Sequence, residues 1–316
     1  MCTAISINEK CHFFGRTLDV EASYGEKIII VPRGFKLDFI YEKSVVAPCA
    51  IMGIGCRAGD YPLYFDAVNE YGLAGSALNF PNNAVYHSRK EGFGNIASFE
   101  LIPWVLAECK SVSEAKRLLM KANITGDFVS PEVPASPLHW IFADKWECIT
   151  VESVKTGLSV FDNPARVLTN NPPFEAQMSH LSSYLHLTAQ EPENNLFPNI
   201  DIPRVSAGLG AVGLPGDFSS PSRFVRAVFL KNHTEPMDNG SELNRFFQIT
   251  DGIKIPYGCV KNEKNQNRYT VYTCCINTEK FEYYVRYPDS QNLLVFKPSD
   301  SDVLSDALVE REFSKA

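Results

Sequence analysis

The order of its secondary-structure signals constrains this chain most. Strand-like runs come first, helical periodicity follows, and strand-like runs return towards the end. Residues 3–14 read as two short strands around the polar turn Asn8-Glu9-Lys10, and 27–32 carry the β-branched run Ile28-Ile29-Ile30-Val31. Residues 50–54 and 71–78 continue the β pattern. Phe99, Ile102, Val105 and Leu106 then share one helical face, and Ala115, Leu118, Leu119 and Met120 form the stripe of a second helix opening at Ser111 or Ser113. Residues 123–137, with Gly126 and three prolines, read as loop. Strands are expected again at 140–143, 148–152 and 166–169, and helices at 174–187, 223–231 and 241–250. Residues 188–203 are polar, proline-rich and irregular. The runs 269–276 and 280–287 alternate as an antiparallel hairpin turning at Asn277-Thr278-Glu279, and 298–316 is weakly patterned. This is not a βαβ alternation, so it predicts α+β layering rather than a parallel doubly wound sheet. No repeat or shift of composition divides the chain, which predicts one domain over residues 1–316.

Charge and cysteine usage exclude several functions. The formal net charge is −7 and no Lys/Arg block stands out, whereas a nucleic-acid footprint needs a basic stripe. An anionic small molecule would gain no long-range attraction and must be held by local cations. No basic-then-apolar leader and no apolar run of about 18 residues is visible, so the expectation is a cytoplasmic chain without a membrane span. Nine cysteines, an odd number, argue against a disulfide framework. No Cys-x-x-Cys pair occurs and the six histidines are scattered, so neither a metal nor another cofactor is expected.

Cys2 is the exception among these cysteines. If Met1 is trimmed, Cys2 carries a thiol and a free α-amine together. An α-amine titrates at roughly 7.7–8.0 and a thiol ordinarily near 8.5, so near neutrality the amine is a usable base for its own nucleophile. That is the N-terminal form of the Ser–His logic, and it assigns no histidine to catalysis. A nearby arginine would favour thiolate. The plain alternative is a cysteine at the start of a strand.

The surrounding residues resemble a known family. Met1-Cys2-Thr3-Ala4 followed by Phe14-Gly15-Arg16-Thr17-Leu18-Asp19 is similar to the opening of the choloylglycine hydrolases, which include conjugated bile salt hydrolases and penicillin V acylases. Further matches follow in order: Tyr64-Phe65-Asp66, Asn69-Glu70-Tyr71-Gly72-Leu73, Leu78-Asn79-Phe80-Pro81, Leu138-His139-Trp140, Val167-Leu168-Thr169-Asn170-Asn171-Pro172, Leu214-Pro215-Gly216-Asp217 and Ser222-Arg223-Phe224. They extend over most of the chain, and their combination is far more specific than any one of them. The resemblance implies a four-layer αββα N-terminal-nucleophile sandwich, hydrolysis of a linear amide by the terminal cysteine, and commonly a homotetramer.

At the matching positions the resemblance implies catalytic roles for Cys2, Arg16, Asp19, Asn79, Asn170 and Arg223. Cys2 would be the nucleophile, Arg16 the cation beside its sulfur, and Asp19 the acceptor that orients its amine. Asn79, by its backbone N–H, and Asn170, by its side-chain amide, would stabilise the oxyanion, and Arg223 would support the site electrostatically. Positions 16 and 19 face opposite sides of a straight strand, so a bend after Arg16 is expected if both are to reach Cys2. The bland alternatives are a surface ion pair for Arg16 and Asp19, turn residues for the asparagines and a surface charge for Arg223. Thr17 stands where many members carry Asn and receives no role. Asn79 tilts the substrate towards bile salts, since penicillin acylases of the family often carry Tyr there. The alternative substrate is penicillin V or another N-acyl amide. By family position Val20, Tyr24, Phe65 and Phe128, with the loop up to Pro137, are the expected pocket residues.

Overall fold

The run Ile28-Ile29-Ile30-Val31 shows how the layers arise. In the computed structural model, which describes residues 1–236, 241–290 and 292–312, all four side chains are buried. They lie in one strand, β3 (Lys27–Val31). Successive strand residues point to opposite faces. Ile28 and Ile30 therefore enter one core and Ile29 and Val31 another. A strand with both faces covered belongs to an inner layer.

Two large sheets supply those layers. The first has six strands in the order Val167–Leu168, β1 (Cys2–Asn8), β2 (His12–Val20), Tyr269–Asn277, Glu282–Arg286 and Leu294–Phe296. The second has eight, in the order Gly157–Asp162, Cys148–Val154, Leu138–Ala143, Ala74–Asn79, Tyr61–Asn69, Ile51–Ala58, β3 and Val309–Arg311. Pairing within both sheets is antiparallel. One core fills the space between the sheets and continues under the helices α4 (Ser220–His233) and α5 (Glu242–Asp251), with Phe224, Phe246 and Phe247. The other lies between the eight-stranded sheet and α1 (Leu101–Glu108) and α2 (Val112–Leu119), around Trp140 and Phe142. The result is the expected αββα sandwich. The helix α3 (Phe174–His180) packs on α4.

The elements that position the site follow the sequence reading in outline, but the strands Gly94–Ala97, Gly157–Asp162 and Leu294–Phe296 were not expected, and other elements differ as well. Helix α3 stops at His180, and Leu181–Tyr184 is a 3-10 turn rather than its continuation. Residues Ala122–Thr125, inside the segment expected as loop, pair in parallel with Gly94–Ala97. The tail supplies an edge strand, Val309–Arg311, beside β3. The strand Tyr61–Asn69 was hidden by Pro62 near its start and by a charged residue, Asp66, facing the core.

The expected bend in β2 is absent. Its pairing with β1 runs without interruption from Cys2↔Leu18 to Asn8↔His12, and the only irregularity nearby lies in the partner strand between Thr270 and Tyr272. Arg16 and Asp19 thus sit on opposite faces of a regular strand.

Candidate active site

Cys2 begins β1 beside Leu18 of β2, and the alternation of β2 divides its surroundings in two. Arg16, Leu18 and Val20 line a cavity of about 550 Å³ together with Cys2 and Asn79. Thr17 and Asp19 face the helices, where Arg223 of α4 waits.

On the cavity side Arg16 is only 1% exposed. A buried guanidinium is costly unless every donor finds an acceptor. Its Nη1 donates to the carbonyl oxygens of Ala77 (2.6 Å) and Phe65 (3.1 Å) and to Ser76 Oγ (3.1 Å), all on the opposite sheet. Burial works against its charge, but the acidic groups around it, Cys2 first and then Tyr272, Asp66 and Cys274, raise its pKa above the ordinary arginine value. The opposite sheet returns the arrangement. Asp66 points into the six-stranded sheet and accepts from Tyr272 Oη (2.9 Å), Tyr283 Oη (3.0 Å) and Cys274 Sγ (3.4 Å). Burial pushes the Asp66 carboxyl up, against the pull of Arg16 and those three donors. Each sheet thus buries one charge that groups of the other sheet solvate.

On the helix side Asn170 is the hub. Its Oδ1 accepts from the Cys2 nitrogen and from Arg223 Nη2, both at 2.8 Å, while its Nδ2 donates to the Asn79 carbonyl at 2.7 Å. Two donors on one side and a carbonyl on the other set the orientation of the amide. Arg223 also donates from Nη1 to the Cys2 carbonyl and Thr3 Oγ1, each at 2.6 Å, and lies 3.8 Å from Asp19 Oδ2. Burial lowers the Arg223 pKa, and Asp19 and Cys2 partly restore it. Asp19 accepts from Thr270 Oγ1 (2.6 Å) and Thr17 Oγ1 (3.1 Å). Arg16 and Asp19 are therefore no surface ion pair. Both are buried, and the partner of Asp19 is Arg223.

Met1 extends β1 by one residue. Its carbonyl accepts from Asp19 N (2.9 Å), and its ammonium donates to the Asp19 carbonyl at 2.5 Å. Burial depresses the pKa of that amine, opposed by Cys2 and Asp19. The Cys2 nitrogen is here a peptide N–H. In a chain lacking Met1 the same atom would be a primary amine facing Asn170 Oδ1. Met1 also lines the cavity beside Cys2, so a chain lacking it would have a wider space there.

The six residues expected at the centre form one cluster. Cys2, Arg16 and Asn79 face the cavity, with Asp19, Asn170 and Arg223 behind them. Val20, Tyr24 and Phe65 line the cavity wall, with the Tyr24 and Phe65 rings edge to face at 5.7 Å. Phe128 does not line it. Its side chain is 57% exposed, and Val129 and Val133 to Pro137 of the same loop take that place. Three supports escaped the sequence reading. Thr17 holds Asp19, Gln177 Nε2 donates to the Asn170 carbonyl at 2.5 Å, and Ser220 Oγ accepts from Asn170 N at 2.8 Å. Nothing local distinguishes Gln177 from a surface glutamine. Only α3 docking beside Asn170 makes it a clamp. Among the described residues no cluster of His, Cys, Asp or Glu could hold a metal ion.

Residues 2–308 match the family model of linear amide C–N hydrolases of the choloylglycine hydrolase family. The chain is 42% identical to a bile salt hydrolase/transferase of Lactiplantibacillus plantarum over 293 residues, covering 92% of this chain and 90% of that protein. Its structure is similar to that of a mutant of the conjugated bile acid hydrolase from Clostridium perfringens, with a TM-score of 0.92 at 32% identity over 100% of this chain and 98% of the other. A penicillin V acylase from Agrobacterium tumefaciens shares the fold at a TM-score of 0.75 and 20% identity, over 98% and 90% of the two chains. A cysteine at the second position, opening the first strand of an αββα sandwich, agrees with those matches, and this chain belongs to the choloylglycine hydrolase family of linear amide C–N hydrolases.

Proposed function

We propose that this protein hydrolyses the amide bond of glycine- or taurine-conjugated bile salts. The observation that carries this reading is Cys2 at the floor of an apolar-walled cavity, its nitrogen already held by Asn170 and the residue itself lining the space together with Leu18, Val20, Tyr24 and Phe65. A steroid needs a broad apolar wall with few polar anchors. Relatives at 42% and 36% identity carry the name bile salt hydrolase/transferase.

In the reaction the Cys2 sulfur forms a bond to the amide carbonyl carbon, and the thiol proton passes to the α-amine of the same residue. Negative charge collects on the former carbonyl oxygen, which the Asn79 N–H and the Asn170 amide stabilise. The C–N bond breaks as the amine delivers its proton to the leaving nitrogen, leaving a thioester on Cys2. Water, deprotonated by the amine, attacks the thioester. The C–S bond breaks, and the thiol recovers its proton. Arg16 favours negative sulfur, and Asp19 with Arg223 holds the charge balance behind the amine.

The test joins mass with turnover. Active protein has the intact mass of a chain lacking Met1, and brief exposure to glycocholate adds one cholyl group to Cys2. Cys2→Ala loses at least about a thousandfold in kcat. Full activity with Met1 retained, or in Cys2→Ala, would remove this mechanism. Faster cleavage of penicillin V than of glycocholate and taurocholate would move the substrate to the other branch of the family.

The protein is further proposed to work in the cytoplasm as a homotetramer. Its nine cysteines are unpaired, as a reducing compartment allows, and no helix among the described residues is long and apolar enough to cross a membrane. Leu185, Leu196, Ile200, Ile202 and Val205, in the irregular arm after α3, are all more than half exposed. Exposed apolar residues concentrated in one segment suit subunit contact. Light scattering at the monomer mass would exclude the tetramer.

A further inference from the structure

The cavity contains one charge pair that the acyl-transfer chemistry leaves unused. Arg268 and Glu21 both line it. Arg268 Nε donates to Glu21 Oε1 at 3.1 Å, its Nη2 contacts the same oxygen, and Asn262 Nδ2 donates to it at 3.0 Å. Burial would raise the Glu21 pKa, but these bonds hold it below the ordinary carboxylate value, so the pair is ionised. The two side chains keep 28% and 26% of their surface in solvent.

No described residue accepts from Arg268 Nη1. The other arginine of the lining, Arg16, is almost wholly buried, with Nη1 engaged by three oxygens of the opposite sheet. The ammonium of Met1 leaves with Met1. Among the described residues Arg268 therefore remains as the partly exposed cation of the working cavity. A chain of net charge −7 repels an anion at long range, so an anionic substrate must find its attraction locally.

We propose that Arg268 is a specificity-determining residue that receives the carboxylate or sulfonate of the leaving amine, and that Glu21 holds the guanidinium at the cavity mouth while competing with that anion. The inference rests on the bile salt reading above. A guanidinium offers paired N–H donors that match the oxygens of either group. The Nη1 edge takes the substrate, and the Nε and Nη2 edge stays on Glu21. The anion then docks before the amide reaches Cys2, so the effect falls on KM and not on kcat.

Two cholyl amides test this, glycocholate and cholic acid N-methylamide, whose leaving amine carries no negative charge. Arg268→Gln raises KM for glycocholate about tenfold, while kcat and the KM of the N-methylamide stay within about twofold. Arg268→Lys recovers part of the loss. Glu21→Gln, which keeps an acceptor for Arg268 but removes the competing charge, lowers KM for glycocholate, and both changes shrink as salt rises. Glu21→Gln also keeps the test sound if the arginine variants fold poorly. Equal KM changes for both amides in Arg268→Gln, or none for either, would overturn the proposal while leaving bile salt hydrolysis standing. A wild-type protein that cleaves neither cholyl amide would overturn the substrate reading and this inference with it.

Discussion

The floor and the mouth of the cavity are built differently. At the floor Cys2, Arg16, Asp19, Asn170 and Arg223 are buried, with Arg16 held by the eight-stranded sheet, Asp19 by Thr17, Thr270 and Arg223, and Cys2 joined to Asn170 and Arg223. At the mouth Tyr24 and Phe128 are more than half exposed, and the 128–137 loop supplies most of one wall. Fixed donors aimed at a developing charge accelerate a reaction because they need no reorganisation. Loosely held apolar walls cannot do that, but they tolerate variation in what they bind. The floor should therefore govern kcat and the mouth KM.

Asn170→Ala tests that division most severely. It removes the acceptor shared by the Cys2 nitrogen and Arg223 Nη2, and with it the donor at the Asn79 carbonyl. The expected result is a fall in kcat of about 10²–10³ with KM little changed. Thermal unfolding should also show about 1–3 kcal/mol lost from the orphaned buried donors. A rise in KM with kcat intact would mean that the floor binds substrate rather than stabilising the reaction.

Much of the floor was legible in the sequence, because its parts lie in short motifs that resemble those of the family, Cys2, Arg16 and Asp19 on regular strands, Asn170 just after Val167–Leu168 and Arg223 on α4. Ile28 to Val31, the β1–β2 turn and the hairpin of Tyr269–Asn277 with Glu282–Arg286 announce themselves by local pattern. The geometry that joins the motifs was not legible. A bend seemed necessary for Arg16 and Asp19, yet a straight strand serves, since one works towards the opposite sheet and the other towards α4. That Asp66 belongs to a buried strand was not legible, because its solvation by Tyr272 and Tyr283 comes from residues 206 and 217 positions away. Phe128 shows the same limit at the mouth. A loop sequence names its apolar residues, but not which of them turns inward.

Wall residues should have intermediate effects. Phe65 faces the cavity and packs on Tyr24, while its carbonyl holds Arg16 through the backbone. Phe65→Ala keeps that carbonyl and removes only the ring, so KM for conjugated bile salts should rise about five- to twentyfold with a smaller change in kcat. A kcat loss matching that of Asn170→Ala would erase the distinction between wall and floor.

The wall also carries a pH signature. Glu100, beside the cavity-lining Phe99, accepts from Ala97 N (3.0 Å) and Ile40 N (2.9 Å), and burial pushes its pKa up to about 7. A carboxyl raised on folding binds its proton more tightly in the native state. Its stabilising contribution is therefore complete below the unfolded value of 4.5 and is lost as pH rises through about 7. Buried His12, lowered to about 3, acts in the opposite sense below its unfolded value of 6.5. The difference in Tm between wild type and Glu100→Gln cancels that contribution, and it should fall steadily between about pH 5 and about pH 8. A constant difference would mean that Glu100 does not titrate in that range.

The smallest effect belongs to Phe128. Its ring lies largely in solvent and outside the cavity lining, although Val129 beside it lines the cavity. Phe128→Ala removes little buried surface, and an exposed ring contributes little to binding, so kcat and KM should both stay within about twofold of wild type. Val129→Ala on the same loop should raise KM more, although it deletes a smaller side chain, because its methyl groups face the space a steroid would fill. If the order is reversed, the loop turns over when substrate arrives and Phe128 becomes the inward residue. The mouth would then be shaped by its ligand, in contrast to the floor, where the hydrogen bonds to Asn170 and Arg223 are in place beforehand.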